Sequence, residues 1–122
     1  MKRAEFEALV ESALQKIPRR FRDAMQNVGI IVEDWPDPAL MEEVVGERDE
    51  VVYGLFTGRP LTECHYDDWG EIPAMIHIYQ GPLEEDFPER HELEREIETT
   101  LVHEIAHYLG IDEATLDEYG YG

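Results

Sequence analysis

His103, Glu104 and His107 stand in the order H-E-x-x-H within the run Thr99–Glu113. Residues four apart on a helix lie one above the other on one face, and two imidazoles so placed grip one Zn²⁺ at about 2.0–2.1 Å each. Glu104 lies about 100° round the helix from His103, near enough to reach a water on the metal without being a ligand. The chemistry of such a trio is metal-assisted amide hydrolysis. A bound zinc lowers the pKa of its water towards ~7 and polarises the scissile carbonyl, while the carboxylate takes the proton as the water attacks. Alone, H-E-x-x-H is a modest signal, because an amphipathic helix matches it by chance. Here the flanks strengthen it: the pattern sits in an apolar helix interior, ends at Gly110, and has Asp112 and Glu113 just beyond.

A catalytic zinc takes three protein ligands and keeps one position open. Glu113, six residues after His107, is the expected third ligand once the chain turns at Gly110, where a left-handed backbone costs glycine nothing. Asp112 is the alternative, although an aspartate opening a helix ordinarily caps it. Asp117 and Glu118 are more distant candidates. For the oxyanion donor that larger enzymes of this type add, His77, Tyr79, Tyr108, Tyr119 and Tyr121 are all available, each with an ordinary packing role as the alternative. Cys64 offers a sulfur ligand about forty residues upstream, as in peptide deformylases. That family's glycine-rich motif is absent, however, and His65 follows where leucine and serine are expected.

The elements that must position these groups follow from periodicity. Phe6, Leu9, Val10, Ala13, Leu14 and Ile17 recur at helical spacing, and Pro18 ends that helix before a shorter piece over Arg19–Gln26. Ile30–Val32, Val51–Thr57 and Ala74–Tyr79 read as short strands, the last with Met75, His77 and Tyr79 on one face and Ile76 and Ile78 on the other. That strand is a candidate edge for pairing with an extended peptide, or else a buried structural strand. A weak helix is expected over Ala39–Val45, a polar loop over Arg59–Gly70, and a strand end at Gln80-Gly81-Pro82. Asp86-Phe87-Pro88-Glu89 reads as a capping box for a long helix from about Glu89 to Leu109. On that helix Ile97, Leu101, Val102, Ile105, Ala106 and Leu109 face the core, opposite His103, Glu104 and His107. Gly110 stops it, and Asp112 opens a last helix reaching about Tyr119. The order of helices, short strands, then helices is an α+β arrangement.

The totals bound the rest. A chain of 122 residues predicts one domain, 1–122, with a single core. Ten basic against 29 acidic residues give −19 and a pI near 4.4, which argues against nucleic acid and anionic lipid as partners. Cys64 is the only cysteine, so no internal disulfide forms. With no apolar leader after Met1 and no run of 18 apolar residues, a cytoplasmic protein without a membrane span is expected.

The run LVHEIAHYLGIDE resembles the signature of the small bacterial minimal-zincin family, and Gly54–Glu63 and Ile76–Leu83 resemble that family too. The likeness spans nearly the whole chain. It implies a compact zincin fold, a small mixed sheet packed on the active-site helix, with His103 and His107 as zinc ligands and Glu104 as base. Glu113 occupies the position of the family's usual aspartate, and no methionine follows it. The expected function is a zinc-dependent metallopeptidase with one Zn²⁺ per chain and a peptide or protein substrate. The competing readings are a non-catalytic metal- or peptide-binding zincin-like protein and, motivated by charge alone, an acidic mimic that occupies a basic partner.

Overall fold

The computed structural model describes residues 1–39, 52–58 and 74–121, with Glu113 described by its backbone alone. Helix α1 (Arg3–Lys16) buries Phe6, Leu9, Val10 and Ala13, the stripe expected from their spacing. Ile17 and Pro18 are extended, because proline disfavours a helical residue before it. Helix α2 (Arg19–Ala24) then tightens into a 3₁₀ turn over Met25–Asn27.

Among the described residues three strands follow: β1 (Gly29–Glu33), β2 (Gly54–Thr57) and β3 (Met75–Tyr79). The sheet order is β1-β3-β2, with β3 parallel to β1 and antiparallel to β2. The strand over 75–79 is therefore central and both its edges are paired, which removes it as a docking edge for an extended peptide. Strand order depends on tertiary packing that local periodicity does not carry. Ile76 and Ile78 are fully buried on one face. Across the other, Glu33, His77 and Thr57 form a polar row, one residue from each strand. His77 Nδ1–H donates to Glu33, and its Nε2 lies 3.1 Å from the Thr57 hydroxyl.

The strand ends before Gln80 as expected, but the segment that ends it is itself a helix, α3 (Gln80–Asp86), in which Pro82 falls in the first turn where its missing N–H is not needed, and this corrects the capping box expected at Asp86. Gly81 lets this helix start against the end of β1, since a Cβ there would collide with the Trp35 ring. Asp86 consequently ends a helix, and the cap of the next one is Glu89, whose carboxylate accepts from the Glu92 amide at 2.8 Å.

Helix α4 (Arg90–Leu109) is the spine of the fold. Leu93, Ile97, Leu101, Val102, Ile105 and Ala106 are buried in one core with α1, α2 and the inner face of the sheet. Glu94 ties α4 to α1, accepting from the Ser12 hydroxyl at 2.5 Å and pairing with Lys16 at 3.1 Å. The helix stops at Gly110, with φ 70° and ψ 31°. Asp112 caps α5 (Glu113–Glu118) by accepting from the Thr115 amide at 2.9 Å. This is an α+β protein with a small mixed sheet packed against its long helix. Among the described residues, no helix is long and apolar enough to cross a membrane. The expected strand residue Val51, most of the weak helix over 39–45 and the loop carrying Cys64 and His65 lie outside the described residues.

Candidate active site

Helix α4 carries His103, Glu104 and His107 where β2 packs closest to it, and the three side chains have different surroundings. His107 is exposed, and His103 and Glu104 are half-buried. Sequence spacing places Glu104 on the face away from the core; in the structure it turns towards the sheet. Its Oε1 accepts from the Phe56 amide at 2.8 Å. That N–H belongs to β2 and points away from β3, so the carboxylate occupies part of the strand's outer edge. Burial pushes the Glu104 carboxyl above the usual carboxylate range, opposed by His107, the Phe56 N–H and His103. A carboxylate stripped of water in this way binds a proton readily.

The close approach depends on Gly54. A Cβ there would stand 2.6 Å from Thr100 Cγ2, 3.1 Å from the His77 carbonyl oxygen and 3.5 Å from Glu104 Cγ. Thr100 is itself buried, its hydroxyl donated back to the Glu96 carbonyl at 2.7 Å, one helical turn earlier. Between the two elements lies a cleft of about 350 Å³. Tyr53 and Gly54 line one wall; Glu96, Thr100, His103 and Glu104 line the other. Gly54, the Phe56 amide and Glu96 escaped the sequence reading. Only Gly54 carried a signal, since glycine inside a strand often marks a close approach of backbone.

His103 is held from the other side. Its Nε2–H donates to the Tyr121 carbonyl at 2.5 Å, and the Tyr121 hydroxyl donates to Glu98 on the same helix at 2.7 Å. Burial and Glu98 together raise the pKa of that phenol. The other oxyanion candidates are spread out. Tyr79 is buried, its phenol pushed up to about 12 by burial, with Glu33 and Glu104 adding to the effect. Tyr108 packs on Phe56, and Tyr119 on Phe21. His77 is engaged in the polar row on the far face of the sheet. Asp112 is committed to capping, which holds its carboxyl below the usual range. Asp117 and Glu118 are exposed on α5.

As donors, two imidazoles one turn apart with a carboxylate to follow are the chemistry zinc prefers. Among the described residues no three His, Cys, Asp or Glu side chains converge on one point; the Glu113 side chain is not among them.

The family model for zincin-like metallopeptidases matches residues 25–121. The chain belongs to that family. The matched stretch of this zincin-like protein takes in the whole sheet, α4 and the turn at Gly110. A solved structure, a conserved hypothetical protein from Thermo thermophilus, is similar at 25% identity with a TM-score of 0.55, covering 88% of this chain and 92% of its own. No curated protein is detectably similar to this zincin-like protein.

Proposed function

We propose that this protein is a zinc-dependent peptidase in which Glu104 is the general base for hydrolysis of a peptide bond. The observation that carries the reading is the setting of Glu104: flanked by the two histidines, desolvated, fixed by the Phe56 amide and lining a cleft. Membership of the family supports it. His103 and His107 would hold one Zn²⁺ per chain, with Glu113 as third ligand and Asp112 kept as the helix cap. When bound, the metal supplies activation of a water and polarisation of the substrate carbonyl. Glu104 takes the proton from the attacking water and returns it to the leaving amine. Its Oε1 stays on Phe56 throughout, so the second carboxylate oxygen carries the proton.

The test is metal content and turnover measured together. The expected result is about one zinc per chain, lost in His107→Ala and retained in Glu104→Gln. Peptide turnover in Glu104→Gln falls by roughly 10²–10⁴-fold. Undiminished turnover in Glu104→Gln, or no metal taken up even when zinc is offered, would refute the reading. A second reading, a non-catalytic zincin-like protein that binds metal or peptide, is favoured by the Tyr121 carbonyl on His103. Its signature is zinc or peptide binding by the wild-type protein with no cleavage.

A further inference from the structure

The cleft beside Glu104 holds an apolar stretch between two acids, with Thr99 and His103 also on its wall. Thr100 spends its hydroxyl on the Glu96 carbonyl and turns its methyl towards Gly54. Val52 and the ring of Tyr53 complete the apolar section, and that ring is braced edge-on by Phe87 with centroids 5.5 Å apart. Eight residues before Glu104, and so about 12 Å along the helix axis, half-buried Glu96 lines the cleft. None of the lining residues is a lysine or arginine. Lys16 pairs with Glu94, and Arg95 lines a separate pocket with Lys16, Glu98 and Tyr121.

An apolar throat ending in a half-buried carboxylate is complementary to one kind of side chain, a methylene stem carrying a positive charge. The geometry points to Glu96 as a specificity-determining residue: the cleft takes a lysine or arginine side chain of the substrate, lying next to the bond held at Glu104. The inference rests on the peptidase reading for what happens at Glu104, and it names the substrate class as a peptide with a basic residue beside the cleaved bond. The net charge of −19 draws cationic peptides towards the whole surface; Glu96 adds a local, saturable preference.

The experiment separates binding from cleavage. N-acetylated, C-amidated heptapeptides that differ only in a central arginine, methionine or glutamate are titrated against the intact protein by fluorescence anisotropy. The same peptides are incubated with the zinc-loaded protein and their products mapped by mass spectrometry. The arginine peptide should bind about tenfold more tightly than the methionine peptide, the scale of one charge-assisted contact. Glu96→Gln should abolish that margin, Glu96→Arg should shift it to the glutamate peptide, and Glu7→Gln, the same loss of charge on an exposed part of α1, should leave it intact. Equal binding of the three peptides, or a margin unchanged in Glu96→Gln, overturns the inference. A free-amino peptide without basic residues that matches the arginine peptide also overturns it, because Glu96 would then read a terminal ammonium. Cleavage without preference leaves the peptidase reading standing and removes this one; Glu96-dependent binding without cleavage does the reverse.

Discussion

At Gly54 an added methyl has nowhere to go, because Thr100 is β-branched and buried and Glu104 is anchored. Gly54→Ala should push β2 away from α4, costing about 1–3 kcal/mol as overpacking does and weakening the Phe56–Glu104 bond. Thermal melts beside peptide turnover check this, with turnover lost in the folded variant at temperatures where wild type is active. Gly81→Ala, equally crowded but against Trp35, should destabilise without a specific loss of turnover. The contrast shows what was legible at this scale. His103, Glu104 and His107 could be singled out as candidates because their chemistry lies in side chains at a helical interval. The groups that orient Glu104 are a backbone N–H and a missing Cβ, which no pattern of side-chain types displays. Glu113 and Asp112 compete for one role in the sequence, and cap geometry assigns only Asp112.

Helix α4 owes its length to a start and a stop of different character. Gly110 sits at φ 70°, so Gly110→Ala should cost on the order of 1–2 kcal/mol in left-handed strain and misdirect the chain towards α5. A lower melting temperature with reduced zinc uptake is the expected pair of readings. Glu94 joins this helix to α1, and hydrogen bonds from Ser12 and Lys16 hold its carboxyl below the ordinary value of 4.5. A depressed folded-state pKa means that the stabilisation is present above that ordinary value and disappears as pH falls through the folded one. Glu94→Gln should therefore melt lower than wild type at pH 6 and converge with it in acid. A gap that persisted there would show that the effect is not ionic. The stop of α4 was legible because glycine before an aspartate cap is distinctive. Its start near Glu89 was legible as well, but not the cap residue, because Asp86, Glu89 and Glu92 all offer carboxylates in a short span, and the helix over 80–86 hides behind a Gly-Pro pair that reads as a break.

Over the whole molecule, −19 charges press outward on a fold whose basic residues are few. Salt screens such repulsion within about 10 Å at 0.1 M, whereas exposed ion pairs such as Arg19–Asp23 contribute little to begin with. Raising sodium chloride from about 20 mM to about 0.5 M at pH 7 should therefore raise Tm. A fall would mean that local pairs outweigh the net field. Fold class was legible at this scale because the order of helical and strand periods survives local errors. Strand order was not, and with it went the expectation of which edge is free.

The bond from His103 to the Tyr121 carbonyl has a consequence for how the molecule reports on its own occupancy. His103 Nε2 can carry the proton it gives to Tyr121 or serve as a ligand, so zinc held by this ring as proposed would compete with the docked last turn, and each would weaken the other by the same factor. Loosening that turn by Glu98→Ala, which removes the partner of the Tyr121 hydroxyl, should tighten zinc binding. Adding zinc should in turn speed exchange of the Tyr121 amide hydrogen, now held by the Leu116 carbonyl at 3.0 Å. Unaltered exchange with zinc bound would mean that the ring swings free and leaves the turn in place. Coupled in this way, the residues around Tyr121 would act as a built-in gauge of zinc at His103, their amides exchanging faster as zinc is added.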